Sequence, residues 1–144
     1  MIVNVRHTGI VVSDLENVAT FYRKLGFEDV SQDIEKGNFI EQVTGIENVE
    51  LEWIKMKAAD GYLLELIKYH SHPLTAENEN AVSNKLGCSH IAFTVENIDA
   101  ACELIDRSGG SVVNKAATAP NGKVKVAYCH DPEGVLMEIV EELD

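Results

Sequence analysis

Cys88-Ser89-His90-Ile91-Ala92-Phe93-Thr94-Val95 alternates apolar with small or polar residues, the period of a strand with one buried face. Ile91, Phe93 and Val95 share that face, and His90, Ala92 and Thr94 share the other. The pattern occurs again near the N-terminus in His7-Thr8-Gly9-Ile10-Val11-Val12, where His7 shares its face with Gly9. A histidine heading each of two similar strands predicts a duplicated unit with a site between its halves.

The order of elements supports duplication. A first strand is expected over 2–12. Ser13 and Glu16 then form the S-x-x-E pattern of a capping box. Leu15, Val18, Ala19, Tyr22 and Leu25 fall at helical spacing, and Gly26 closes that helix. A second strand is read at 27–30, then a polar, irregular stretch over 31–47 with a short helical turn at 39–43. A third strand covers 49–54, Asp60-Gly61 makes a hairpin turn, and a fourth strand covers 62–69. A shift of 83 residues carries His7 to His90, Leu15 to Ile98, Val18 to Ala101, Ala19 to Cys102, Tyr22 to Ile105 and Gly26 to Gly109. A shift of 73 carries Asp60-Gly61 to Glu133-Gly134 and Leu64-Glu65-Leu66 to Met137-Glu138-Ile139. Strands at 111–114, 123–129 and 133–140 complete the second half. The expected fold is α+β, two tandem βαβββ modules forming a cleft with a metal site. Module one is 1–69, the linker 70–87 with its polar run from Thr75 to Lys85, and module two 88–144. Together they make a single domain.

A chain of 144 residues is long enough to bury a core without staples. Its net charge of −12 argues against nucleic acid or an anionic membrane as partner, since both need clustered Lys and Arg. Cys88, Cys102 and Cys129 are odd in number and lack C-x-x-C spacing, so they read as reduced thiols of a cytoplasmic protein. The first residues show no signal-peptide core, and no apolar run approaches a membrane span.

A strand packed on a helix turns its continuous apolar parity toward that helix. Ile10 and Val12, and Leu64 and Leu66, take the helix side. His7, Gly9 and Val11 then face the cleft with Leu63, Glu65 and Ile67, as do His90, Ala92 and Thr94 with Leu136, Glu138 and Val140. Each half offers one His and one Glu. Two lone carboxylates among Leu, Ile, Met and Val would cost several kcal/mol to bury without compensation, and no lysine is expected beside these strands at matching positions. A divalent metal resolves this: His7, Glu65, His90 and Glu138 suit Ni, Co, Fe, Mn or Zn. Two of about six octahedral positions would stay open for water or substrate.

Weaker candidates surround this set. Val49, Leu51 and Trp53 on the helix side would turn Glu50 and Glu52 toward the cleft, with a solvated strand face as the bland alternative. Lys123 and Lys125 could meet a substrate carboxylate or phosphate, though plain surface charge explains them better. His70 and His72 read as linker residues, and His130 as a hydrogen-bonding turn residue. Cys88 shares parity with His90 but has no basic neighbour to make it a nucleophile.

These stretches, with Asp131-Pro132-Glu133-Gly134, resemble the vicinal oxygen chelate superfamily, the glyoxalase/bleomycin resistance/dioxygenase fold. In metal-ligand pattern the chain resembles the glyoxalase I (lactoylglutathione lyase) family first and the methylmalonyl-CoA epimerase family next. The epimerases usually carry Gln at the place of Glu65. The resemblance implies a metal-dependent lyase/isomerase, cytoplasmic and homodimeric, acting on a small hemithioacetal or acyl thioester. On this reading His7, Glu65, His90 and Glu138 hold the metal. Glu138 abstracts a proton alpha to a carbonyl, with Glu65 as its counterpart, and the metal stabilises the enediolate. Bacterial lyases commonly carry a glutathione-binding arginine four residues after the first metal His, and here that residue is Val11. The superfamily also hosts iron(II) ring-cleavage dioxygenases, for which His7, His90 and Glu138 would form a facial triad, and bleomycin-resistance-type binding proteins without catalysis.

Overall fold

A computed structural model describes residues 1–74 and 79–144. The chain divides into two compact units, Met1–Glu77 and Asn78–Asp144.

In the first unit, β1 (Thr8–Val11) leads into α1 (Leu15–Lys24), β2 (Glu28–Lys36), α2 (Asn38–Thr44), β3 (Glu50–Lys57) and β4 (Leu63–Tyr69). The sheet order is β1-β4-β3-β2, with β1 parallel to β4 and the other pairs antiparallel. Helix α1 starts at Asp14, whose carboxylate accepts from Asn17 N at 3.1 Å. The cap is thus Asp14, one residue after the expected Ser13, and Glu16 meets Arg23, whose guanidinium also grips Asp29 on β2 through two bonds of 2.9 and 2.8 Å. That pairing holds the Asp29 carboxyl below its ordinary range. Gly26, at φ 101°, ends the helix in the left-handed conformation as anticipated.

Leu15, Val18, Ala19 and Tyr22 of α1 are buried with Leu64 and Leu66 of β4 and Ile54 and Met56 of β3. Phe21, Tyr22 and Phe27 meet edge to face.

The expected first strand shrinks from 2–12 to Thr8–Val11, because pairing with β4 begins at Thr8. Ile2, Val3 and Val5 ahead of it are exposed. The second strand lengthens to Glu28–Lys36, absorbing six residues read as irregular. It is an edge strand with polar residues on both faces, held by backbone bonds to β3. The short helix after it forms as expected.

In the second unit, β5 (Ile91–Thr94), α3 (Ile98–Arg107), β6 (Ser111–Val112), β7 (Ala117–Thr118), β8 (Val124–His130) and β9 (Leu136–Glu142) follow. The sheet order is β5-β9-β8-β6, with β7 also pairing with β8 and β5 parallel to β9. The sixth strand is shorter than its expected 111–114, β7 is additional, and the last two strands end later than expected. Asn97 caps α3 through Ala100 N at 2.9 Å. Ile98 and Ile105 pack with Cys129, Met137 and Ile139 in this unit's core. The two halves thus repeat β-α-β-β-β, with one extra helix in the first and one extra short strand in the second.

Residues 75–78 of the expected linker, with the start of its polar run, lie outside the described residues. From Glu79 the chain crosses the Asp131–Gly134 turn: Ala81 N donates to Gly134 O, and His130 Nε2 donates to Ala81 O at 2.7 Å. His130 therefore closes β8 and ties down this strap, a hydrogen-bonding role of the kind its sequence context suggested.

Candidate functional site

In the first unit, register puts Gly9, Glu65 and Lys55 in one row across β1, β4 and β3. His7, one residue ahead of β1, reaches diagonally so that its Nε2 lies 3.1 Å from Glu65 Oε2. The second unit repeats the arrangement: Ala92, Glu138 and Tyr128 form the row. His90, ahead of β5, places Nε2 2.8 Å from Glu138 Oε2. A residue without a side chain, or with only a methyl group, next to each glutamate leaves room for the imidazole. Parity thus brings each His beside its own Glu, and neither carboxylate is lone: each has an imidazole nitrogen within about 3 Å.

The two pairs differ in surroundings. Glu65 is 13% exposed and Glu138 27%. His90 Nδ1 lies 3.1 Å from Ser89 Oγ and its ring meets Tyr128 edge to face. His7 Nδ1 is buried and has no hydrogen-bond partner among the described residues.

The donors fit a divalent transition metal. Two adjacent ligands roughly 2.1 Å from an octahedral ion are about 3 Å apart, the separation within each pair here. Ring nitrogens and carboxylate oxygens are the expected donor types. Among the described residues no group of three or more His, Cys, Asp or Glu gathers as a metal cluster; each unit holds one His–Glu pair.

Several secondary candidates fall elsewhere. Glu52 pairs in register with Lys68 and shares the face of Ile54, Met56 and Leu66, opposite to Glu65; Glu50 has the same parity. The inversion arises because β3 is apolar on both faces. Leu51 is buried with Val49 and Ile40, with Ile46, Trp53, Ile67 and Tyr69 packed around them, which closes one end of the Glu65 face. Ile54 and Met56 are buried on the other side. Glu52 instead meets His70 at 2.8 Å, drawing that linker histidine onto the sheet end, while His72 Nδ1 lies 2.7 Å from Ser71 Oγ.

Lys125 lies on the helix side of β8, opposed to Glu141, and its ammonium contacts Asp99 of α3 at 2.6 Å, which holds it above its usual range. Lys123 precedes β8 and has the same parity as Lys125. Cys88 is exposed ahead of β5.

The expectation that no lysine stands beside these strands fails at Lys55, directly opposed to Glu65 in the register. Sequence reading missed it, with Trp53 and Tyr128. The shift of 73 that maps Glu65 to Glu138 also maps Lys55 to Tyr128, so the repeat itself held the signal.

A model of the Glyoxalase/Bleomycin resistance protein/Dioxygenase superfamily matches residues 4–139. The chain belongs to this superfamily. Among its relatives, the lactoylglutathione lyase of Neisseria meningitidis serogroup B is 29% identical over 138 residues, 94% of this chain and 88% of its own. The lactoylglutathione lyase of Escherichia coli O157:H7 is 40% identical over 55 residues, 38% of this chain; the match spans only 41% of that relative's length. A glyoxalase family protein from Bacillus cereus superposes with a TM-score of 0.93 at 27% identity, over 100% of this chain and 97% of that one. Glyoxalase I from Zea mays shares the fold at a TM-score of 0.67 and 16% identity, over 96% of this chain and 44% of that one. The glyoxalase-superfamily fold is therefore common to this chain and to enzymes named as lyases. No helix among the described residues is long and apolar enough to cross a membrane.

Proposed function

We propose that this glyoxalase-superfamily chain is a metal-dependent lyase/isomerase of the glyoxalase I type, cytoplasmic and homodimeric, acting on a small hemithioacetal or related thioester. The observation that carries the reading is the pair of repeat-related His–Glu contacts, at 3.1 and 2.8 Å, each at the separation of adjacent ligands on one metal. His7, Glu65, His90 and Glu138 would hold the ion, which we take to be Ni, Co, Zn, Mn or Fe. When bound, such an ion supplies Lewis-acid polarisation of a substrate carbonyl.

The chain's own groups divide the remaining work. Glu138, the more exposed of the two carboxylates, takes the proton alpha to the carbonyl and returns it to the neighbouring carbon. His90, held through Nδ1 by Ser89 and flanked by Tyr128, orients that carboxylate. Glu65, deeper in its sheet and joined to His7, is the counterpart that stays in place. Glu65 in place of the epimerase family's usual Gln favours the lyase over that alternative. A fourth donor also exceeds what a dioxygenase facial triad needs.

Elemental analysis of tag-free protein tests the reading, beside turnover of the methylglyoxal–glutathione hemithioacetal. About one transition metal per chain is expected, lost in the Glu65→Gln/Glu138→Gln variant together with turnover. Protein that carries no metal and takes none up on titration would refute it and favour the ligand-binding alternative.

A further inference from the structure

Lys55 of β3 stands directly opposite Glu65 of β4 in the register. Directly opposed side chains on antiparallel strands start about 5 Å apart at Cβ, within easy reach of a lysine. Lys55 nonetheless forms no ion pair with Glu65 among the described residues. Glu65 is taken by His7, and the Lys55 ammonium lies 4.5 Å from the centroid of the Trp53 ring, two residues back on the same face. An ammonium held over an indole keeps its hydrogen-bond donors available, because the ring attracts the charge without accepting a directional bond in the way a carboxylate does.

The surroundings make this cation matter. The chain carries 24 acidic against 12 basic residues, a balance that repels anions in general. On the Glu65 face, Lys57 is exposed at the end of β3, and Asp33 and Glu35 line the β2 edge by register. Lys55 is the half-buried cation in the row of Glu65 itself. Its counterpart in the second unit is an uncharged phenol, Tyr128, packed on His90, so the two halves of the repeat differ in charge at this position.

We infer that Lys55 is a specificity-determining residue that binds a carboxylate on the non-reacting part of a thiol conjugate, with Trp53 as the apolar platform beneath it. The assignment rests on the lyase reading for the identity of the reaction, but not for the binding itself.

The test uses S-hexylglutathione and its diethyl ester, which differ in the carboxylates, on the full chain as purified. Calorimetry reads affinity. Fluorescence reads location, because Trp53 is the chain's one tryptophan. The wild type is expected to bind the acid about tenfold more tightly than the ester, the scale of one hydrogen bond to a charged group, with a change in Trp53 emission. Lys55→Gln erases that preference and Lys55→Arg restores it. For the methylglyoxal–glutathione hemithioacetal, Lys55→Gln raises KM and leaves kcat near the wild-type value. Equal preference in Lys55→Gln and wild type overturns the inference, as does a wild type without preference. A chain with a Lys55-dependent preference but no turnover supports it and overturns the lyase reading alone.

Discussion

Cys129 faces α3 from β8, fully buried, with its sulfur 4.0 Å from that of Cys102. Burial pushes the Cys129 thiol up to about 12 and raises that of Cys102. The folded state therefore favours the neutral thiol. The stability this contributes is complete below the unfolded pKa of about 8.5 and is lost as pH rises toward the folded value. The urea midpoint should fall between about pH 8 and pH 10, and Cys129→Ala should flatten that decline while lowering the midpoint at neutral pH. A thiol reagent at pH 8 should titrate exposed Cys88 at once and reach Cys102 and Cys129 only slowly or after unfolding. Gly134 is constrained more sharply. At φ 88°, an added Cβ would sit 2.5 Å from Glu79 O, in the strap whose Ala81 N binds Gly134 O. Gly134→Ala is expected to cost about 1–3 kcal/mol in chemical denaturation.

Strand β3 shows at the level of an element what sequence can and cannot tell. An amphipathic strand reports its inner face by alternation, and in β4 the lone Glu65 between buried Leu64 and Leu66 marks the outer face. Strand β3 carries Leu51 and Trp53 on one face and Ile54 and Met56 on the other, with Leu51, Ile54 and Met56 buried, so alternation gives no single answer. Only the register settles it: Met56 opposes Leu64 beneath α1, and Lys55 opposes Glu65. Strand β2 extends past its expected 27–30 for the opposite reason, since an edge strand polar on both faces has no hydrophobic period. The segment before β1 alternates like a strand but pairs with no strand among the described residues. Two substitutions separate the faces of β3. Met56→Ala should cost about 2–5 kcal/mol through the void it leaves under α1. Lys57→Ala, exposed at the strand end, should stay within about 0.5 kcal/mol.

Across the whole molecule the duplication was the most readable feature, because both His–Glu pairs, both helical faces and both closing glycines recur at fixed shifts. Duplication would also set the energetic consequence of the proposed metal binding. Each unit has its own sheet and core and holds one His–Glu pair. If one ion takes donors from both, its binding free energy exists only while both units are folded. At a free metal concentration about a thousandfold above Kd the gain is about 4 kcal/mol, shared by the two cores. Hydrogen exchange reads this directly. Metal should slow exchange at Leu64 and Leu66 in β4 and equally at Met137 and Ile139 in β9. The His7→Ala/Glu65→Gln variant alters the first unit alone, yet it should abolish the metal-dependent slowing in β9 as well. Slowing of β9 that survives in this variant would mean that His90 and Glu138 hold the ion unaided, and joint ligation by the two halves would be wrong.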